Sequence, residues 1–389
     1  SLPVGDDPYG LTLDAVRDFA ERSGTLIITV DCGVSNTKEI QEARNFGIDT
    51  VVVDHHLPQE TLPPAAAIID PKLSDSGYPF RDLAGCGVTA KLVWALEFSR
   101  TDFYNEELVL LNTPPANGTV ILQAVKLVNL VETDRITENL VPGMVRLDQT
   151  RLESFLINTQ ILVYDEQLNR RLLKKVFGEE TEVNLYDVAP EIWRLFPNLE
   201  GKSLLKIRDK SRSNRYMNGT AGEIETFVNL FSSYVMRKYP GLSSEFEKRL
   251  DLVALGTLAD LMPLVDENRV LVKLGIERIN SVEREAIHEL LLQQNLLGKQ
   301  LGTTDIGWQI SPLINATGRL GVPDKAAEIF ITEDPSERRR LVTEVIGLNK
   351  ERKKLGDSAW NTILPQAQKS YDALEERMVL VSDDGIHRG

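Results

Sequence analysis

The first hundred residues alternate between short apolar runs and segments with the apolar spacing of an amphipathic helix. Short strands that alternate with helices are typical of a doubly wound parallel sheet built from βαβ units. Two glycines open the last helix, where either an approaching anion or plain packing would explain them. The pattern predicts strands at 25–30, 49–53 and 66–69, and helices at 11–23, 36–46 and 85–98.

Polar residues follow the first two predicted strands at the point where each one ends. Asp31 follows an apolar run, and the tripeptide Asp54-His55-His56 follows the next one. We expect both strands to be buried, and sites in open α/β sheets assemble at the carboxyl ends of strands. Carboxylates and imidazoles together suit an ion such as Mn²⁺ or Zn²⁺. These two strand ends therefore predict a metal site.

Beyond residue 100 the pattern changes to a Leu- and charge-rich stretch that reaches residue 246. We interpret it as an inserted domain of mixed α and β structure with more helix. It contains a basic run that either contacts phosphates or forms a solvated surface loop. The basic residues of that run are Lys202, Lys206, Arg208, Lys210, Arg212 and Arg215.

The third part of the chain returns to small and apolar residues at helical spacing, which lead to a further carboxylate, Asp260. A long charged helix is predicted at 335–373 as a spacer between domains. The apolar run Met378–Val381 predicts a new strand that begins another domain.

Composition narrows the class of protein. The chain has 389 residues, 42% hydrophobic and 26% charged, which suits a globular protein of two or three domains. No stretch approaches the roughly 18 apolar residues that span a membrane. Two cysteines argue for a reducing compartment, and we expect a cytoplasmic protein. A net charge of −14 does not suit a protein that coats nucleic acid, but a metal-dependent nuclease remains compatible.

The simplest arrangement of these residues brings Asp31, His55 and Asp260 onto one or two divalent ions. Two ions about 4 Å apart can clamp the attacking and leaving oxygens of a phosphoryl displacement. His56 would orient a ligand or touch a substrate phosphate. In the polar segment 315–321, Arg319 offers a planar fork for a phosphate, although an ordinary surface arginine is equally compatible.

The chain resembles the DHH phosphoesterase superfamily and, within it, the RecJ single-strand-specific exonucleases. The resemblance covers about residues 1–100 and 246–389. Asp54-His55-His56 alone would also fit pyrophosphatases and oligonucleotide phosphatases, whereas the Leu-Ala-Gly, Gly-Thr-Leu-Ala-Asp and Asn-Ala-Thr-Gly-Arg segments indicate the RecJ branch. The matching segments are Tyr9–Thr12, Val30–Gly33, Asp54–Pro58, Leu83–Val88, Ala254–Asp260, Asn315–Gly321, Leu348–Arg352 and His387–Gly389.

The resemblance implies an α/β parallel-sheet DHH domain in two parts, 1–100 and 247–334, around a mixed α/β insert at 101–246. A linker helix at 335–373 and the start of a DHH-associated α/β domain at 374–389 would follow. The implied activity is Mn²⁺- or Mg²⁺-dependent 5′→3′ hydrolysis of single-stranded DNA in repair and recombination. Partners would be that strand and a single-strand-binding protein or a helicase, and no membrane.

Residue roles carried over from the resemblance make Asp31, His55 and Asp260 metal ligands, with His56 and Asp54 as catalytic residues. Arg319, His387, Asn315 and Gly318 would bind the substrate phosphate. One family motif, Asp-x-Asp-x-Asp, is missing before Tyr9, so we expect a cropped chain, and both ends look cropped. The insert is also longer than this link usually is.

Two alternatives stay open. One is a short-oligonucleotide or phosphonucleotide phosphatase of the same superfamily, which the large insert argues against. The other is an inert relative that scaffolds replication proteins, which the retained Asp54-His55-His56 and Asp260 argue against.

Overall fold

The structure is a computed structural model that describes residues 10–157, 159–211, 222–371 and 378–382. The chain divides into two compact units. Unit 1 comprises Ser1–Val93 and Phe246–Gly389, and unit 2 comprises Trp94–Glu245. The predicted insert, 101–246, falls almost wholly within unit 2.

Unit 1 begins with a three-stranded parallel sheet in the order β1-β2-β3, as the alternation of strands and helices predicted. The register pairs Val30 with Val53 and Val53 with Ile69. Because the three strands end level, the residues that follow them emerge at one edge of the sheet. The elements are β1 (Leu26–Val30), β2 (Asp49–Val53) and β3 (Ala67–Ile69), with α1 (Leu13–Glu21), α2 (Thr37–Asn45) and α3 (Gly85–Phe98).

The strand β1 is less buried than predicted. Leu26, Ile28 and Val30 are 47%, 55% and 47% exposed, whereas Val52 and Val53 of β2 are fully buried. Within the described residues β1 pairs only with β2, so it is the edge of the sheet and one of its faces is uncovered. The prediction that both site-bearing strands are buried was therefore wrong for β1.

The second part of unit 1 is helical. The helix that leads to Asp260 packs on the next helix at Gly275, where a Cβ would lie 3.0 Å from the carbonyl carbon of Leu250. Glycine is therefore required for this close approach of two helices. The helices are α10 (Leu250–Ala259), α11 (Asp266–Ser281), α12 (Glu285–Gln293), α13 (Thr303–Asp305), α14 (Ser311–Arg319), α15 (Asp324–Ile331) and α16 (Pro335–Ser370), with a π-helical turn at Ile306–Ile310.

The long helix α16 is confirmed as far as Ser370. Its first turns are not a free spacer, because Leu341, Val342 and Val345 are buried in a core shared with α12, α14 and α15. The strand predicted at Met378–Val381 was wrong, since residues 378–382 have no regular structure. A strand needs a neighbour for its backbone hydrogen bonds, and the described residues provide none there.

Unit 2 contains a six-stranded mixed sheet in the order β5-β6-β4-β8-β9, with β7 also paired to β6. The central strand β4 is antiparallel to β6 and parallel to β8. Leu108 and Leu110 face one hydrophobic cluster, and Val109 and Leu111 face the other, so helices cover both sides of the sheet. The strands are β4 (Glu107–Asn112), β5 (Pro115–Ala116), β6 (Thr119–Val128), β7 (Val131–Leu140), β8 (Gln160–Val163) and β9 (Leu185–Asp187).

The helices of this unit are α4 (Leu152–Leu156), α5 (Glu166–Phe177), α6 (Ala189–Leu195), α7 (Leu204–Arg208), α8 (Glu223–Lys238) and α9 (Pro240–Glu247). Among the described residues of the whole chain, no helix combines the length and apolar character needed to cross a membrane.

Candidate metal centre

Asp31 is presented by a tight turn directly after β1. Its backbone is left-handed, with φ of 60°, and its N–H donates to the carbonyl of Val53 at 2.9 Å. Gly85, the first residue of α3, faces the Asp31 carboxylate so closely that a Cβ would lie 2.7 Å from Asp31 Cγ. Favourable electrostatics between a carboxylate and the start of a helix support this arrangement. Gly85 thus allows one of the protein's own carboxylates to approach the start of α3.

Three distant segments converge on the His55 imidazole. His55 Nε2 lies 3.0 Å from Asp31 Oδ1 and 3.5 Å from Asp260 Oδ2. Asp260 reaches this position as the C-cap of α10. The His55 side chain is only 6% exposed, whereas Asp31 and Asp260 are 61% and 49% exposed. The cluster is therefore anchored by a buried imidazole and open to solvent through two carboxylates.

Asp54 is fully enclosed and organises the two loops beside the cluster. Its Oδ1 accepts from the backbone N–H groups of His55 (2.8 Å) and His56 (3.2 Å), and its Oδ2 accepts from the N–H of Val34 (3.0 Å). Burial alone would raise the pKa of this carboxyl, but these bonds and one from the His56 ring together lower it. Asp54 is thus held ionised, and it ties the loop after β1 to the loop after β2.

His56 extends from this support into solvent. Its Nδ1 lies 2.7 Å from Asp54 Oδ1, and its side chain is 58% exposed. The ring stands 4.6 Å from the His55 ring, centroid to centroid. One ligand atom from each of Asp31, His55 and His56 lies within 4.8 Å of the others. Because Asp54 engages Nδ1, Nε2 is the nitrogen of His56 that is available to a ligand.

The donor set suits a divalent ion. The hydrogen bond that His55 Nε2 donates to the Asp31 carboxylate raises the pKa of His55 despite the opposing effect of burial, so the two carboxylates favour a proton on the imidazole. A cation at this point would replace that proton, and oxygen with imidazole ligands suits Mn²⁺ or Mg²⁺. Burial raises the pKa of the Cys86 thiol to about 11, which argues against a thiolate ligand there.

Asp70 is a residue of this region to which the sequence assigned no role. It follows β3 as Asp31 and Asp54 follow their strands, so its position at a strand end was the available signal. It is 3% exposed; its Oδ1 accepts from the N–H of Lys72 at 2.8 Å, and its Oδ2 has no partner among the described residues. Burial raises its pKa. His55 Nδ1 is likewise buried without a partner there.

The predicted phosphate-binding residues Asn315, Gly318 and Arg319 all lie on α14 and are exposed. In the described part of the chain, no hydrogen bond or ion pair engages the Arg319 guanidinium. Helix α14 packs on α10, whose C-cap is Asp260, but within the described residues no hydrogen bond joins these residues to the predicted metal ligands. His387 lies outside the described residues.

Residues 8–113, which carry Asp31 and Asp54-His55-His56, match the model of the DHH family, N-terminal domain. The chain is similar to DHH-superfamily proteins of the RecJ type. It is similar to the single-stranded-DNA-specific exonuclease RecJ of Bacillus subtilis, at 23% identity over 98% of this chain and 30% of the relative. It is also similar to RecJ of Escherichia coli, at 26% identity over 90% of this chain and 38% of the relative.

A shorter match to RecJ of Thermus thermophilus reaches 36% identity over 35% of this chain and 19% of that relative. The chain thus spans about a third of the length of the first two curated relatives. Among solved structures, exonuclease RecJ bound to manganese is similar with a TM-score of 0.50 and 22% identity, covering 93% of this chain and 56% of that one. This likeness shows a shared fold.

Proposed function

We propose that the chain carries the metal-binding part of a 5′→3′ exonuclease that hydrolyses single-stranded DNA in repair and recombination. The observation that carries this proposal is the approach of two carboxylates, Asp31 and Asp260, to the His55 imidazole. Similarity to single-stranded-DNA-specific exonucleases supports the substrate class. The polarity of digestion rests on the family resemblance alone. We expect the protein to act in the cytoplasm, with a single-strand-binding protein or a helicase as partner.

Asp31, His55 and Asp260 would hold Mn²⁺ or Mg²⁺, as one ion or two. The ions would activate water and neutralise charge on the phosphate. His56, oriented through Nδ1 by Asp54, presents Nε2 to the scissile phosphate, where it can hold or donate a proton to the leaving oxygen. Asp54 acts by fixing that orientation and by staying ionised.

Substrate-phosphate binding is assigned to the exposed face of α14. The Arg319 guanidinium fork, which has no partner among the described residues, suits two phosphate oxygens, and Asn315 adds an amide. Gly318 adds no side chain to this face, and no atom lies within 4 Å of the position where its Cβ would be, so the space beside the helix is open. We also assign His387 to phosphate binding, on the resemblance alone.

The oligonucleotide phosphatase and the inert scaffold remain the competing proposals. The first predicts cleavage of short oligonucleotides in preference to long strands. The second predicts no cleavage at all, with binding of protein or strand retained.

The deciding experiment uses a 5′-labelled single strand with Mn²⁺, alongside its duplex and a 3′-labelled strand. We expect release of labelled mononucleotide from the 5′ end of the single strand only, and none in EDTA. His55→Ala should abolish release, whereas His288→Ala, which removes an exposed histidine of α12, should not. Cleavage that survives His55→Ala would overturn the assignment of the site.

A further inference from the structure

Three residues of the basic run predicted in unit 2 border a pocket that the proposed chemistry does not use. Arg212 and Arg215 of that run lie outside the described residues. Lys202, Lys206 and Lys210 line a cavity of ≈ 240 Å³, together with residues of α8 such as Ser233. This volume is below the roughly 300 Å³ at which drug-sized sites begin, so the cavity fits one small group rather than a large cofactor.

The charge of this pocket is opposite to that of the chain as a whole. Three ammonium groups border it and none of its lining residues is acidic, although the chain has a net charge of −14. The nearby Asp209 is already paired with Arg208 at 3.0 Å. In the part of the chain that the structure describes, Lys206 and Lys210 have no carboxylate partner. The pocket therefore concentrates positive charge that its own surroundings leave unneutralised.

An apolar wall completes the pocket. Phe196 and Leu199 are half-buried, and Ile207 and Leu230 are 7% and 8% exposed. A lysine-lined cavity beside a partly exposed aromatic ring combines the two features that hold single-stranded nucleic acid, namely phosphate contacts and base stacking. An acidic peptide would use the lysines but has no need for the aromatic ring.

We propose that the Lys202–Lys206–Lys210 pocket of the insert binds one phosphate-bearing nucleotide of a single DNA strand. This is a binding site in unit 2 that contains none of the metal-ligand residues of unit 1. The proposal depends on the proposed function only for the choice of single-stranded DNA as the ligand. Binding of the strand to the pocket is measured without metal and without cleavage. A free nucleotide carries the same chemistry and would compete for the pocket.

The test is fluorescence anisotropy of a labelled oligothymidylate strand with the protein in EDTA, across a range of salt concentrations. Lys206→Ala/Lys210→Ala removes two exposed charges at i,i+4 spacing. We expect about tenfold weaker binding at 0.1 M salt and a salt slope reduced by about 0.7, because one phosphate of the single strand is no longer neutralised. The matched control Arg171→Ala/Lys175→Ala removes two exposed charges of α5 at the same spacing and should leave affinity within about twofold.

Further variants and probes identify which ligand the pocket binds. Phe196→Leu should weaken strand binding and leave inorganic phosphate binding unchanged, because only the stacking surface is lost. Unchanged strand affinity in Lys206→Ala/Lys210→Ala, or an equal loss in the control, would overturn the proposal. So would a loss confined to a polyglutamate probe, which would assign the pocket to an acidic protein. If the protein binds a strand through these lysines but cuts none, the proposed exonuclease activity is refuted and the proposed binding site is retained.

Discussion

Two buried aspartates at neighbouring strand ends, Asp54 and Asp70, are predicted to respond in opposite ways to the same substitution. Asp54 accepts four hydrogen bonds, three at Oδ1 and one at Oδ2. Asparagine can keep the three at its oxygen, but its NH₂ group would face the N–H of Val34. A hydrogen bond to a charged group contributes about 1.5–3 kcal/mol, and an unmet buried donor costs about 1–3 kcal/mol. Asp54→Asn should therefore lower the free energy of unfolding by about 3 kcal/mol.

Asp70 accepts one bond, and its second oxygen has no partner among the described residues. Burial disfavours its charge, so Asp70→Asn should be neutral or stabilising by up to about 1 kcal/mol at pH 7. The pH dependence has opposite signs. Asp54, with a lowered pKa, stabilises the fold above pH 3.8 and loses that contribution as pH falls through its folded value. Asp70, with a raised pKa, destabilises the fold above its folded value, and this cost disappears below pH 3.8.

The assay is urea unfolding of both variants in EDTA, from pH 7.5 down to about pH 2. Because the chain has two units, hydrogen exchange at residues 31–36 is measured as well, to report on the loop that Asp54 fixes. Faster exchange is expected only for Asp54→Asn. If the two variants lose equal stability, or if Asp70→Asn loses more, the reasoning from hydrogen-bond geometry is refuted.

Four further substitutions and one titration extend the account. Gly85→Ala should weaken Mn²⁺ binding by about 10-fold or more, because the added Cβ would displace the Asp31 carboxylate. Gly87→Ala is the control, because its Cβ would meet only ordinary contacts and should leave the affinity unchanged. Equal affinities of the two variants would contradict this expectation. Gly275→Ala should cost about 1–3 kcal/mol in thermal unfolding by separating two helices, and Gly356→Ala, with open space around it, should gain about 0.5–1 kcal/mol. Mn²⁺ affinity measured calorimetrically should rise as pH increases above 6.5, because the pKa of His55 is raised and the ion displaces its proton. The metal-free fold should lose stability over the same rise in pH, because the proton on His55 stabilises it fully only below pH 6.5. A flat pH profile would contradict both expectations.

The sequence predicted the features of unit 1 that depend on local pattern. The alternation of strands and helices predicted the parallel sheet, and the positions at the strand ends identified Asp31 and Asp54 as candidate site residues. The burial of β1 was not predicted correctly, because Leu26 and Ile28 have the composition of a buried strand whether or not a neighbour covers them. Apolar composition shows that a strand can be buried, but the surrounding elements determine whether it is buried.

The sequence could not show how the candidate site is supported. The role of Asp54 as a four-bond acceptor depends on where Val34 lies, which is a tertiary fact. The pairing of Gly85 with Asp31 joins residues 54 positions apart, and only the fold brings them together. Likewise, the spacing of the lysines in unit 2 predicted either a phosphate contact or a solvated loop, and the cavity they share became visible only in the structure.

The central claim is that Asp31, His55 and Asp260 hold a divalent ion, and an electron paramagnetic resonance titration with Mn²⁺ tests it most directly. Asp31→Asn is compared with Asp49→Asn, which changes an exposed aspartate at the start of β2. We expect saturable Mn²⁺ binding to the unaltered protein and to Asp49→Asn, with affinity at least about tenfold lower in Asp31→Asn. Equal binding by all three proteins would contradict it.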